Sequence, residues 1–302
     1  MDPLSRLLSL YPLQTALNVR CHFGAPWQLV QPDAAEGRAP YHVLVSGTAW
    51  LEMENGTREP MASGDAVLFP RGSAHRIHAG DGTPAPPIKA QGAFLAIETN
   101  DGTGSVSDIL CGELRFGAEA VPLLRTLPDV VLVRTAGQPA LASLRALIAL
   151  LQQEAEGERL GTAAILAQLT SALFALLLRG WLEQSGGQGL LAVLAEPRLQ
   201  AALHAMLAAP EHPWSLDDLA HLCHMSRATF VRAFRQAAGQ PPAEVLTQMR
   251  MAQAARLLAH GRLSAGQIGE QVGYQSEAAF NRVFKRHHGV GPGEYRRTVR
   301  QH

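Results

Sequence analysis

Cys21 sits between Arg20 and His22. Positive neighbours lower a thiol pKa and raise the thiolate population, and the thiolate is the form that reacts with oxidants. A second cysteine, Cys111, falls in residues 109–116, which read as a strand. Alternation puts Ile109, Cys111, Glu113 and Arg115 on one face and Leu110, Leu114 and Phe116 on the other. Cys111 is therefore expected on the more polar face, where a partner or ligand can reach it. The third, Cys223, falls where a helix meets a turn and reads as packing. A lone cysteine is more often a small buried hydrophobe than a reagent. Two in one domain keep both a redox pair and simple packing open.

A second set of chemistry-bearing residues lies in Gly64-Asp-Ala-Val-Leu-Phe-Pro70-Arg-Gly72-Ser-Ala-His75, with the spacing G-x5-P-x-G-x2-H. The glycines suit turns, Pro70 stiffens a strand entry, and His75 is expected to point into a barrel. This pattern resembles the second motif of cupin barrels. The resemblance implies that His75 is a metal ligand in metal-binding members. The first cupin motif supplies two histidines and a glutamate, and here only His42 lies near the matching place. The bland reading makes His42 and His75 hydrogen-bonded lumen residues. The sharper one makes them, with Cys111, a zinc or copper site. His78 is expected on the side opposite His75 or in a loop. No cofactor is required by the sequence.

The surrounding chain reads as short strands over 41–46, 48–53, 66–69, 76–79, 93–98 and 109–116, separated by turns such as Asn55-Gly56 and Ser63-Gly64. Residues 80–87 hold three prolines and two glycines and read as a mobile loop. A short amphipathic helix is expected over residues 1–10. From Pro139 the period becomes helical, with one stripe through Leu141, Leu144, Leu147, Ile148 and Leu151 and another through Ile165, Leu166, Leu169, Leu173, Leu176 and Leu177. Such wide stripes suggest self-association of residues 139–184, hence a homodimer. The predicted domains are a cupin-like sensor over 1–118, a helical connector over 119–195 and a DNA-binding domain over 196–302, an α+β multidomain chain.

The last of these carries a tandem repeat. Leu216-Asp-Asp-Leu-Ala220, a short turn, and Ser226-Arg-Ala-Thr-Phe-Val-Arg-Ala-Phe234 form one helix-turn-helix pattern. Ile268-Gly-Glu-Gln-Val272, a turn, and Ser276-Glu-Ala-Ala-Phe-Asn-Arg-Val-Phe284 form another. Each second helix has a serine cap, a Phe pair at i and i+4 facing inward and an arginine facing out. Its outward residues are Arg227, Ala228, Val231, Arg232 and Arg235 in the first unit. In the second they are Glu277, Ala278, Asn281, Arg282 and Lys285. Arginine pairs with guanine edges or phosphates, and Asn281 suits adenine. A stiff helix over 243–259 joins the two motifs, which are expected to meet successive major grooves about 34 Å apart.

The net charge is zero, yet residues 196–302 hold thirteen Lys/Arg against eight Asp/Glu. The basic excess thus lies where phosphate neutralisation requires it. A hydrophobic fraction of 47% excludes wholesale disorder, and three cysteines exclude a disulfide scaffold. The most apolar stretch, 163–181, contains Gln168, Thr170, Ser171 and Arg179, which argues against a membrane span. No signal peptide is expected at the start, and the cytoplasm is the expected location.

Barrel, connector and tandem motif, ending in Gly291-Pro-Gly-Glu-Tyr295-Arg, resemble the AraC family of transcription regulators over the whole chain. A closer likeness is to AraC-type activators that sense reactive chlorine. It rests on Met1-Asp-Pro-Leu-Ser-Arg-Leu-Leu8, Cys21, Leu51-Glu-Met53, Gly72-Ser-Ala-His75-Arg76, Ile109-Leu-Cys111-Gly112-Glu-Leu114 and His224-Met-Ser-Arg-Ala228. The resemblance implies that Cys21 and Cys111 are oxidised, become disulfide-linked and switch on transcription. It implies double-stranded DNA and RNA polymerase as partners, and no enzyme activity. The alternative is an AraC-type regulator whose barrel senses a small molecule or metal, with the cysteines incidental.

Overall fold

The computed structural model describes residues 2–299, apart from Pro12, Ala93, Phe94, Ala118, Glu119, Thr126, Glu158 and Gln188. In chain order the first part runs α1 (Pro3–Leu10), β1 (Leu13–Gly24), β2 (Trp27–Gln31), β3 (Arg38–Ser46), β4 (Thr48–Met53) and β5 (Arg58–Ala62). Then come β6 (Ala66–Leu68), β7 (His75–Ala79), β8 (Ile88–Gln91), β9 (Ala96–Thr99), β10 (Val106–Phe116), α2 (Val121–Leu124) and β11 (Val131–Val133). The helices follow as α3 (Ala142–Glu156), α4 (Thr162–Ser185), α5 (Leu190–Ala195), α6 (Gln200–Ala208), α7 (Leu216–Leu222) and α8 (Arg227–Ala238). The last are α9 (Pro242–His260), α10 (Ala265–Gln271), α11 (Glu277–His288) and α12 (Pro292–Val299).

The chain divides into two units. One comprises Leu13–Arg115 and Leu127–Ser185, the other Met1–Pro12, Phe116–Thr126 and Gly186–His302. The breaks expected at 118 and 195 are not where the structure divides. The connector helices α3 and α4 belong with the sheets, and α1 belongs with the DNA-binding helices. The physical reason lies in the leucine stripes. Leu144, Ile148, Leu151, Leu166, Leu173 and Leu177 are buried within the sheet unit, where α3 and α4 pack on each other and α4 packs on β1 and β11. These residues fill an internal core, while Leu147, Leu169 and Leu176 of the same stripes are half-buried and Ile165 is exposed. By length and composition α4 could cross a bilayer; here it lies along β1 and β11.

Among the described residues the sheet unit has a seven-stranded sheet, β11-β6-β3-β10-β1-β9-β8, and a four-stranded one, β2-β7-β4-β5. Phe23, Trp27, Leu44, Leu51, Phe69, Ile77 and Ile109 pack together with Cys21. The alternation of strands decides which side chains join them. On β1, Cys21 and Phe23 turn inward while Arg20 and His22 do not. The expected strand over 93–98 is present over Ala96–Thr99, with Ala93 and Phe94 outside the described residues. Strands β1, β2, β5, β8 and β11 were not expected. β5 contains Pro60 and is an edge strand, the place where a proline costs no ladder bond.

The other unit is helical and internally duplicated. Capping boxes start α7 (Ser215 with Asp218) and α10 (Ser264 with Gln267). Ser226 and Ser276 cap α8 and α11, and Gly239 and Gly289 end them in the left-handed conformation. Phe230, Phe234, Phe280 and Phe284 are fully buried. The two turns differ by one residue. Met225 N–H donates to the Ala220 carbonyl and Tyr274 N–H to that of Gly269, so Gln275 is an insertion before the second cap. The left-handed turn residue is Gly273 in one copy and His224, with φ 52°, in the other.

Candidate functional site

Cys111 of β10 stands directly opposite His42 of β3, and the strands β10 and β1 are neighbours in the same sheet. The Cys111 sulfur lies 3.0 Å from His42 Nδ1. His42 Nε2 lies 2.9 Å from Nε2 of His75, which comes from β7 of the other sheet. His75 Nδ1 is 2.8 Å from the Ser73 carbonyl oxygen. The His75 ring is stacked on Phe69 with centroids 3.5 Å apart. The Cys111 thiol is pushed well above the ordinary thiol range, first by a hydrogen bond with Cys21, then by burial and by the Cys21 and Glu98 charges. Cys21, on the neighbouring strand β1, lines the same cavity as Cys111. All four groups border this cavity of about 290 Å³, whose walls include Gln28, Gln31, Lys89 and Glu98.

Burial keeps both imidazoles neutral. It pushes His42 down to about 3, helped by the His75 charge. It pushes His75 down to about 4, with the Ser73 carbonyl acting the other way.

Two expectations are revised here. Arg20 and His22 do not face the Cys21 sulfur, because neighbours along a strand point to opposite faces. They meet carboxylates instead: His22 Nδ1 is 2.7 Å from Asp108, and Arg20 is 2.9 Å from Glu156. Cys21 itself is fully buried. Cys111 keeps to the face read as the more polar one, where it is half-buried, packs beside Ile109 and lines the cavity. The residues also do not fit a three-ligand zinc or copper site. Cys111 engages Nδ1 of His42 while His75 engages Nε2, so sulfur and His75 meet opposite edges of one ring. Among the described residues no group of three metal-ligating side chains converges. His78 lies on β7 with its Nε2 3.1 Å from Glu52.

On the helical unit, Arg227, Ala228, Arg232 and Arg235 are exposed along α8, as are Glu277, Ala278, Arg282 and Lys285 along α11. Val231 and Asn281 occupy matching positions and are half-buried rather than outward; the Asn281 Oδ1 is buried without a hydrogen-bond partner. The Glu277 carboxylate leans over Gly266 at the start of α10. Arg286, which the outward list omitted, is exposed beside Lys285.

A cupin family model matches residues 2–183, and a helix-turn-helix domain model matches residues 219–298. The RCS-specific HTH-type transcriptional activator RclR of Escherichia coli (strain K12) is 35% identical over 303 residues, covering 100% of this chain and 99% of that protein. The chain belongs to the AraC family of DNA-binding transcriptional regulators. The HTH-type transcriptional regulator MtrA of Neisseria gonorrhoeae is 30% identical, covering 98% of each. The DNA-binding domain of AdpA, solved in complex with a target DNA, is 31% identical over 35% of this chain and 95% of that one, with a TM-score of 0.33. The family and the α+β architecture thus agree with the sequence.

Within this AraC-family regulator, sequence reasoning missed Glu98 and the Ser73 carbonyl. Glu98 pairs with Cys21 across the parallel β1–β9 ladder, and its signal is long-range register that no local pattern carries.

Proposed function

We propose that this regulator acts in the cytoplasm as a transcription activator switched by reactive chlorine through Cys21 and Cys111. The observation that carries the reading is the placement of both thiols, from neighbouring strands, on the wall of one cavity. The 35% identity to an RCS-specific activator supports it. The chemistry balances in two steps. A Cys21 thiolate takes Cl⁺ from hypochlorous acid, giving a sulfenyl chloride and hydroxide. Cys111 then attacks the Cys21 sulfur, forming the S–S bond as the S–Cl bond breaks and chloride leaves, and the Cys111 proton is lost. The enzyme-free oxidant thus removes two electrons from the pair. Cys111, whose thiol is held well above the ordinary range by a hydrogen bond and burial, serves as the resolving thiol. Cellular thiols reopen the bond.

Cys21 lies on β1, which follows directly on α1, and α1 belongs to the DNA-binding unit. A bond that reshapes β1 acts on the segment where the chain passes between units. The reduced form must already sample the active state, since oxidation can only shift a population. Activation implies RNA polymerase as a partner on DNA.

The test is oxidant-induced reporter transcription with mass spectrometry of the protein. Cys21→Ser should lose most of the response and Cys111→Ser should keep a weaker, shorter one, with Cys223→Ser as wild type. A normal response from the Cys21→Ser/Cys111→Ser double variant overturns this reading. It would leave a small-molecule sensor, for which the cavity of about 290 Å³ has room.

A further inference from the structure

Cupin folds hold metals with the histidines that here touch each other, and the geometry points to a different use. We infer that His42 is the general base that takes the Cys111 proton as the disulfide closes, with His75 and the Ser73 carbonyl fixing the direction of transfer. This rests on the redox reading above.

The polarity of the chain follows from its fixed end. A carbonyl oxygen only accepts, so His75 Nδ1 carries the hydrogen donated to Ser73. In a neutral ring the other nitrogen is then bare. His75 Nε2 must accept at 2.9 Å, so His42 Nε2 is the donor. That leaves His42 Nδ1 bare, facing the Cys111 sulfur at 3.0 Å. The thiol supplies the only hydrogen for that contact, S–H to Nδ1. Each tautomer is set by the bond the other nitrogen makes. In this polarity the lone pair of His42 Nδ1 faces the thiol.

The same polarity gives the proton a route. As the Cys111 sulfur attacks Cys21, its S–H proton passes to His42 Nδ1. The His42 Nε2 proton can pass to His75 Nε2, leaving the charge on His75. His75 is the better resting place, because its Nδ1–H bond to Ser73 favours the charged ring. From there the cavity leads the proton to solvent. Among the described residues, charged groups near the relay are Glu98 on β9 and Lys89 on β8, 3.3 Å apart at the cavity, with Asp129 on the Ser73 hydroxyl and Asp33 on the Ala74 N–H. Arg20 and His22 each pair with Asp108 on the far side of β1.

Two measurements on the full-length protein decide the matter. Nitrogen-15 imidazole NMR of the reduced protein at pH 7 should show His42 protonated only at Nε2 and His75 only at Nδ1. Any other tautomer at His42 overturns the relay, as does joint displacement of both rings by one equivalent of zinc. Rapid quenching after stoichiometric hypochlorous acid, with mass spectrometry, measures closure of the bond. His42→Gln should slow closure at pH 7 at least about tenfold, the low end expected on losing a general base. Its rate should then climb with pH as the Cys111 thiolate forms, while the wild-type closure stays flat from pH 5 to 8. His75→Gln should show a partial loss with the same tilt in the pH profile, the mark of a positioning residue. Closure by His42→Gln at the wild-type rate and profile overturns the relay and spares the redox reading. Failure of wild type to close any bond overturns the redox reading, and the tautomers still judge the relay.

Discussion

Tyr41 lies across the ladder from Gly112, its ring filling the space a side chain at 112 would need. A Cβ there would collide with the tyrosine ring and with the Ala16 carbonyl of β1. The Tyr41 hydroxyl donates to that same carbonyl at 3.2 Å, so glycine, tyrosine and β1 are locked as one layer next to Cys111. Gly112→Ala is expected to destabilise the sheet unit by about 1–3 kcal/mol, the usual cost of overpacking. It should also slow disulfide closure by displacing β1. Urea unfolding checks the first outcome. Unchanged stability would show that β1 moves freely over β10.

The buried histidines set an acid limit. His42 at about 3 and His75 at about 4 lie below the unfolded value near 6.5. Between those values the unfolded chain binds protons that the folded chain refuses. Stability is therefore full above about pH 6.5 and falls as pH drops, by up to about 1.4 kcal/mol per pH unit for each histidine. Urea midpoints of the sheet unit from pH 7.5 to 4.5 should fall accordingly. The His42→Gln/His75→Gln variant should flatten that slope. A slope equal to wild type would mean that the rings charge without leaving the fold.

How much of this was open to the sequence depends on range. The recognition helices were legible because a cap at Ser226 or Ser276, a Phe pair four apart and an arginine between them are local signals. The inserted Gln275 was not, because aligning the serines hides a change in turn length. The barrel was recognisable from Gly64 to His75, but β1 lacks clean alternation and β5 carries Pro60. The cysteine environment failed most clearly. Arg20 and His22 are neighbours of Cys21 in the chain and not across the sheet. Cys21, His42, His75 and Cys111 come from four strands of two sheets, and only register brings them together.

Ser276 anchors the second recognition helix, its hydroxyl accepting from the Ala279 N–H at 3.3 Å. Ser276→Ala should cost about 1 kcal/mol of stability in the helical unit and should weaken DNA binding by fraying the first turn. Ser226→Ala should do the same to α8. Thermal unfolding with gel-shift titration reads both effects. Loss of stability with no loss of DNA affinity would place the contacts farther along the helix.

Arg232 and Arg282 hold equivalent exposed positions, each between two buried phenylalanines that fix the helix face. Replacing either by alanine should weaken specific DNA binding by about 1–3 kcal/mol. Two kinds of contact separate in one experiment. An arginine on a guanine edge loses discrimination between operator and random DNA, with little change in salt dependence. An arginine on phosphate loses affinity for both and lowers the slope of log affinity against log salt by about one. The duplication itself makes a further demand. The one-residue difference in the turns leaves the α8 and α11 caps alike, so the two arginines should show comparable losses on their own half of the site. Unchanged affinity in both variants would mean that neither helix enters a groove by this face.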